Sequence, residues 1–180
     1  MKKFAMGCFS IIGIIVVIGI IIAVVSGGDE DKVSTGSDSS KSSSEQSTKE
    51  EGTKTIDATS QSAQAAGLNV NLGEIKVSED KIEVGINVEN TNSDLVSFYP
   101  DQGSAVIGDM QLDANMFLTD GSISGDIQGG VKQEAVLEFL APEGKTIDPE
   151  SVKDIKLVLG DVTSADYMTS EPVEFTVTAE

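Results

Sequence analysis

Close to its start the sequence contains a run of 22 residues, Phe4–Val25, without a single charged side chain. At 1.5 Å of rise per residue, a helix of this length spans roughly 30 Å, the thickness of the hydrocarbon core of a bilayer. Two lysines precede the run and three acidic residues follow it closely. Because positive charge stays on the cytoplasmic side, residues 1–25 are predicted to form a cytoplasmic stub and one transmembrane helix, with all later residues outside the cell.

A cleaved signal peptide is the alternative, and it would make the protein secreted. The apolar region of a signal peptide runs over about 7–15 residues and ends in a small-x-small site. The run in this chain is longer and ends in Val24-Val25-Ser26-Gly27. The sequence therefore favours a retained single-pass anchor in the cell membrane.

Residues 26–65 have a different composition. They are rich in Ser and Thr, and Val33 and Ile56 are their only large apolar side chains. Such a segment buries too little apolar surface to offset the entropy cost of ordering it. We therefore predict a disordered linker over 26–65 and a folded domain over 66–180.

From residue 66 onward the apolar residues recur with a period of two, which is typical of strands with one buried face. The pattern is clearest over Lys81–Asn90, and a change of parity after Leu72 predicts a β-bulge or a strand start at Gly73. Further strands are predicted over Leu95–Tyr99, Ser104–Ile107, Met110–Asp113, Val131–Leu140, Ile155–Gly160 and Val173–Thr178.

Two short motifs refine this prediction. Gly108-Asp109 joins two strands and fits a two-residue hairpin, in which Gly supplies the positive φ. Asp148-Pro149-Glu150-Ser151 has the composition of a helix start, and it predicts a single helical turn because alternation resumes at Ile155. Seven or eight short strands with short turns predict an all-β fold, an antiparallel immunoglobulin-like β-sandwich.

The arrangement of a lysine-flanked apolar helix, a Ser/Thr-rich spacer and the segment IEVGINVENTNSDLVSFYPDQ resembles a bacterial group. It is similar to the telokin-like, immunoglobulin-like extracellular domain of small membrane-anchored or secreted proteins of Gram-positive bacteria. The resemblance covers about Leu72 to Val177 and includes Gly129-Gly130 at the start of a strand. It implies a fold and a location, since members are largely of unknown function and bring no catalytic residues.

The composition excludes several classes of function. The formal charge is −18, with 30 acidic residues, no Arg and no His, so a basic footprint for nucleic acid is missing. Without His, and with Cys8 as the only thiol, the usual nucleophile–base pairs and zinc cages cannot form. We predict no enzyme and no cofactor. An exported carbohydrate-active enzyme is a weaker alternative, because no acid spacing marks the carboxylate pair it needs.

A calcium or other cation site is the main alternative function. Asn90, Asn92 and Asp94 lie at i, i+2 and i+4, as oxygen ligands do at the start of a calcium loop. No Gly follows at the expected turn, and Asn and Asp are also common in ordinary turns. These three residues are therefore candidate ligands beside a purely structural interpretation.

Phe98, Tyr99 and Pro100 place two of the eight aromatic residues side by side, which is a feature of binding patches. The favoured alternative directs Phe98 into the core while Tyr99 and Pro100 turn a corner. Met116-Phe117-Leu118 is predicted as core or sheet edge by the same argument. The sequence favours a non-catalytic interaction or accessory module whose partner is an extracellular or membrane protein, and it predicts no oligomeric state.

Overall fold

The computed structural model describes residues 33–36, 52–123 and 125–179. Within these ranges the chain is all-β, and its twelve strands belong to one antiparallel sheet. The strands are β1 (Lys54–Asp57), β2 (Ser62–Ala65), β3 (Leu68–Val77), β4 (Lys81–Asn90), β5 (Val96–Phe98), β6 (Ser104–Ile107), β7 (Met110–Ala114), β8 (Asp120–Gly121), β9 (Gly125–Ile127), β10 (Lys132–Leu140), β11 (Asp154–Ser164) and β12 (Ser170–Thr178).

The pairing divides the strands into two groups. In the first, β3 pairs with β1, β2 and β4, and β10 pairs with β4 and β8. In the second, β11 pairs with β12, β6 and β5, while β7 pairs with β6 and β9 with β5. The groups are joined where Phe139 and Leu140 of β10 lie opposite Ala114 and Asp113 of β7.

Both groups contribute to one hydrophobic core. The alternation predicted for Lys81–Asn90 is confirmed, since Ile82, Val84, Ile86 and Val88 are at most 1% exposed. Apolar side chains of β10, β11 and β12 complete the same cluster. Removal of this apolar surface from water is the main stabilising contribution to the fold.

Several local predictions are confirmed. Ile107 lies opposite Met110, so Gly108-Asp109 is a two-residue hairpin turn, and Gly108 has a φ of 57°. The pairing of β3 with β4 shifts between Leu72 and Ile75, which places a bulge at Gly73. Pro149–Ser151 form one 3₁₀ turn, as the motif at Asp148 predicted. A second 3₁₀ turn lies at Pro100–Gln102.

The folded unit begins earlier than predicted. Strands β1 and β2 lie inside the range 26–65 that was assigned to a disordered linker. These two strands show no apolar alternation in the sequence, because Ile56 is the only large apolar side chain that they bury. Their backbone hydrogen bonds to β3 supply the rest of their order. The count of seven or eight strands was low for the same reason, and because β8 and β9 have only two and three residues.

The predicted membrane segment, Phe4–Val25, lies outside the described residues. In the part of the chain that the structure describes, no helix is both long enough and apolar enough to span a bilayer. Most of the predicted linker also lies outside that part, apart from residues 33–36 and 52–65.

Candidate functional site

The face of β3 and β4 that points away from the core carries a notch formed by two glycines. At the bulge, Gly73 and Glu74 of β3 lie opposite the single residue Gly85 of β4. The ladder is interrupted there, so the backbone of Glu74 is available to a partner outside the sheet. Since neither glycine has a side chain, another backbone can approach the sheet closely at this point. We call this feature the glycine notch.

Residues Val33–Gly36 occupy the glycine notch. A Cβ atom built on Gly73 or on Gly85 would collide with the carbonyl oxygen of Ser34. Both glycines are buried, and the burial of Gly85 interrupts the alternation of its strand. Val33 is also buried, at 9% exposure. We refer to Val33–Gly36 as the docked segment.

Hydrogen bonds from both backbone and side chains hold the docked segment on the sheet. The backbone N–H of Glu74 donates to the carbonyl oxygen of Ser34 at 2.8 Å, and the N–H of Ser34 donates to Oε2 of Glu74 at 3.1 Å. Nδ2 of Asn87 donates to the carbonyl oxygen of Thr35 at 2.7 Å. The hydroxyl of Thr35 donates to Oε2 of Glu134 at 2.9 Å.

A polar row across three strands positions two of these groups. Asn71, Asn87 and Glu134 lie side by side on β3, β4 and β10. Nδ2 of Asn71 donates to Oδ1 of Asn87 at 3.0 Å. This bond directs the Nδ2 of Asn87 toward the docked segment, because the oxygen of the same amide is already engaged. The row therefore presents one donor and one carboxylate beside the notch.

The sequence analysis missed the glycine notch, although two signals pointed to it. Gly85 lies in the middle of the most regular strand pattern of the chain, where glycine commonly marks the close approach of another backbone. Val33 and Ile56 are the only large apolar residues of the range 26–65. Both are buried, and Ile56 belongs to the core cluster.

A second surface is formed by the turn between β7 and β8. Met116, Phe117 and Leu118 are 51%, 89% and 50% exposed, so the prediction of core or sheet edge is wrong for them. Alternation ends at Ala114, and the chain leaves the sheet in a turn. We call Met116–Leu118 the apolar turn.

Asn115 fixes the apolar turn. Its backbone N–H donates to the carbonyl oxygen of Glu138 at 2.8 Å, which ties the turn to β10. Its Oδ1 accepts the N–H of Phe117 at 3.0 Å, and its carbonyl oxygen accepts the N–H of Leu118 at 3.0 Å. The turn is thus held in one conformation by an Asx-type arrangement while its apolar side chains face solvent.

The three calcium candidates lie together at the end of β4 and in the turn that follows it. The side chain of Asn90 is fully buried, and its Nδ2 donates to the carbonyl oxygens of Asp94 and Ile127, each at 2.9 Å. Its Oδ1 accepts the N–H of Asn92 at 3.0 Å, and Nδ2 of Asn92 donates to Ala66 at 2.7 Å. Both amides therefore act as structural donors in this turn.

Calcium binding at these residues stays a prediction. The carboxylate of Asp94 belongs to an exposed residue, whereas calcium requires six to eight oxygen ligands. Among the described residues there is no group of three or more acidic, His or Cys side chains placed to hold a metal ion.

The candidate patch at Phe98, Tyr99 and Pro100 is split by burial. Phe98 is fully buried, Pro100 is buried in the 3₁₀ turn, and Tyr99 is 45% exposed. The favoured alternative of the sequence analysis, a core phenylalanine followed by a corner, is confirmed. One exposed ring remains from the predicted patch.

Comparison with protein-family models and with curated proteins finds no match to the sequence. Among solved structures, the chain is similar to a functionally unknown protein from Listeria monocytogenes. The two share 14% identity and a TM-score of 0.51, over 72% of this chain and 87% of the other. The yjhA protein from Bacillus subtilis is 12% identical with a TM-score of 0.45, over 69% of this chain and all of its own. The first likeness shows a shared all-β fold.

Proposed function

We propose that the protein is a non-catalytic interaction or accessory module at the cell surface. In this proposal Phe4–Val25 anchors it in the membrane as a single N-in helix, and the twelve-stranded unit is an extracellular, immunoglobulin-like β-sandwich of the telokin-like kind. Its partner is an extracellular or membrane protein. The sequence supports the non-catalytic part, because a chain with no His and one Cys lacks the common catalytic pairs.

The apolar turn carries this proposal. Three consecutive exposed apolar side chains cost solubility, and such patches mark contact sites on otherwise polar proteins. The aromatic ring of Phe117 and the flexible thioether of Met116 are the side-chain types enriched at protein interfaces. Because Asn115 already holds the turn in one conformation, a partner need not supply the energy to order it.

Photo-crosslinking in the cells that produce the protein tests the proposal. A photoreactive phenylalanine analogue replaces Phe117 in the full chain, and a second variant carries it at Glu150 as an exposed control. We expect position 117 to capture one dominant extracellular or membrane protein that position 150 does not capture. The same diffuse products from both positions would contradict an interaction role for the apolar turn.

The variant Asn115→Ala sharpens this experiment. It removes the Oδ1 acceptor of Phe117 N–H and leaves the apolar side chains in place. If the ordered turn is the binding element, capture from position 117 falls in this variant while far-UV circular dichroism is unchanged. Undiminished capture would show that order in the turn is not needed for binding.

A further inference from the structure

The geometry points to the glycine notch as a binding site for an extended segment of a partner protein. The segment it fits has an apolar residue, a residue that supplies its backbone N–H and carbonyl oxygen, Ser or Thr, and Gly in succession. The docked segment, Val33-Ser34-Thr35-Gly36, is the resident occupant of this site. The inference deepens the proposed interaction function and rests on it only in taking the partner to be a protein.

Most of the contacts to the docked segment recognise backbone. Of the four hydrogen bonds described above, two involve the N–H and carbonyl oxygen of Ser34 and one the carbonyl oxygen of Thr35. Backbone groups are common to all sequences, so these bonds hold any chain of the right conformation. The site therefore has the character of a peptide receptor, because most of its bonds do not depend on one side chain.

Three features restrict the sequence of the occupant. Val33 is buried, which favours an apolar residue at the first position. The hydroxyl of Thr35 donates to Glu134, and Ser provides the same donor. Gly36 has a φ of 77°, and a Cβ there would lie 3.2 Å from Cα of Gly73 and from the carbonyl oxygen of Leu72. Glycine is therefore strongly favoured at the fourth position.

The two glycines of the notch allow the backbone of the docked segment to approach closely, but they lower the stability of the sheet. Glycine in a strand interior is less favourable than alanine by roughly 0.5–1 kcal/mol. Gly85 has no positive φ that would explain its presence. The backbone of Ser34 and Thr35 lies where a side chain on Gly85 would stand, and this contact explains the glycine.

A partner must compete with an occupant that is covalently attached. A short covalent connection gives an effective concentration of up to the millimolar range. In the wild-type chain a free peptide therefore binds weakly even when the site suits it. The site is tested cleanly only after the docked segment has been disabled.

The experiment uses the full chain carrying Gly36→Val, labelled with ¹⁵N. The new side chain crowds Gly73 and disfavours the positive φ, and we expect this strain to release the docked segment from the notch. The probe is a synthetic peptide with the sequence of residues 31–38, DKVSTGSD. We expect its addition to shift the Glu74 amide and the side-chain amide of Asn87, and the wild-type chain to respond at least about tenfold more weakly.

Two controls assign the response to the glycine notch. A peptide with Val in place of its Gly is expected to bind at least about tenfold more weakly than DKVSTGSD. Adding Gly85→Ala to the Gly36→Val chain is expected to weaken binding of DKVSTGSD by at least the same factor. Ser34→Pro provides a second chain with a disabled docked segment, because it removes the N–H that donates to Oε2 of Glu74. Residue 34 lies outside every described strand, so the substitution does not break a strand of the sheet.

No shift of Glu74 or Asn87 with millimolar peptide in either disabled chain would overturn the inference. Equal binding to the chain with Gly85→Ala would overturn it as well. Neither result affects the crosslinking at Phe117, which reports on the proposed function through a different surface.

Discussion

Glu74 binds both polar backbone groups of Ser34. Its N–H donates to the carbonyl oxygen of Ser34 at 2.8 Å, and its Oε2 accepts the N–H of Ser34 at 3.1 Å. This reciprocal pair exists because the β3 bulge places Gly73 and Glu74 opposite the single residue Gly85. A bulge that bends a strand therefore also provides the donor that holds the docked segment.

The first prediction concerns Gly85→Ala. The added methyl group would collide with the carbonyl oxygen of Ser34, so we expect the docked segment to leave the notch and the Glu74 amide to exchange with solvent at least about tenfold faster. Amide hydrogen exchange followed by NMR measures this. The free energy of unfolding is expected to change by less than about 1 kcal/mol, because the higher strand propensity of alanine offsets part of the lost contact.

The matched control for this variant is Glu89→Ala, on the same face of β4. Its ion pair with Lys132 is exposed and contributes little to stability. The Glu74 amide should exchange there as in the wild-type chain. Unchanged exchange in Gly85→Ala would mean that the docked segment does not depend on the glycine.

The second prediction distinguishes loss of the Nδ2 donor of Asn87 from the effect of added negative charge. Asn87→Asp replaces the Nδ2 donor with an oxygen that faces the carbonyl oxygen of Thr35. Two acceptors repel, so the docked segment should be released and the amide of Glu74 exposed. Asn69→Asp adds the same charge to β3 without a described contact to the segment. We expect release in the first variant only, and release in both would show that charge alone opens the site.

The third prediction concerns Asn90→Ala. The substitution leaves two carbonyl oxygens and the N–H of Asn92 without the side chain that now pairs them. Because the site is buried, the free energy of unfolding should fall by about 2–3 kcal/mol. Chemical denaturation measures the loss, with Asn69→Ala as a control that should stay within about 0.5 kcal/mol of the wild type. If the free energy of unfolding falls no further in Asn90→Ala than in the control, the buried hydrogen bonds of Asn90 do not stabilise the fold.

The fourth prediction concerns the pH dependence of Lys81. Its ammonium lies 3.0 Å from Glu138 and 3.2 Å from Glu83. Burial lowers the pKa of Lys81, but the hydrogen bonds and charges of the two carboxylates outweigh burial and raise it above 10.5. A raised pKa in the folded state stabilises the fold below the unfolded value, and this contribution is lost as the pH rises through the folded pKa.

Comparison of the wild type with Lys81→Met tests this sign. We expect the variant to be less stable by about 1–2 kcal/mol at neutral pH, because Glu83 and Glu138 are left opposite each other. The difference should shrink as the pH rises above 10.5 and through the raised pKa of Lys81, where the wild-type lysine loses its proton. A difference that stays constant between the two conditions would contradict the assignment.

The core of the fold is readable from the sequence because it follows from one physical rule. Alternation located β4 to the residue, and the parity change after Leu72 located the bulge. Each depends on apolar side chains that the core removes from water. Strands β1 and β2 lack that signal, since their order comes from backbone pairing with β3, to which any residue type contributes.

The candidate sites were harder to predict for a related reason. The docked segment and the glycine notch are far apart in the sequence, and the docked segment is held mainly through its backbone groups, which leave no pattern of side chains. The apolar turn has the composition of a buried strand and differs only in that Asn115 turns the chain out of the sheet. In both cases the informative residue is the small or polar one, Gly85 or Asn115, and not the apolar residues around it.

The most direct test of the account is hydrogen exchange at the Glu74 amide in the full wild-type chain and in the full chain carrying Ser34→Pro. If Val33–Gly36 occupies the glycine notch, this amide is protected in the wild type and at least about tenfold less protected in the variant. Amides in the middle of β4, such as that of Ile86, should be equally protected in both. Equal exchange of Glu74 in the two chains would contradict the account, because docking of Val33–Gly36 would then not depend on the N–H of Ser34 that Glu74 accepts.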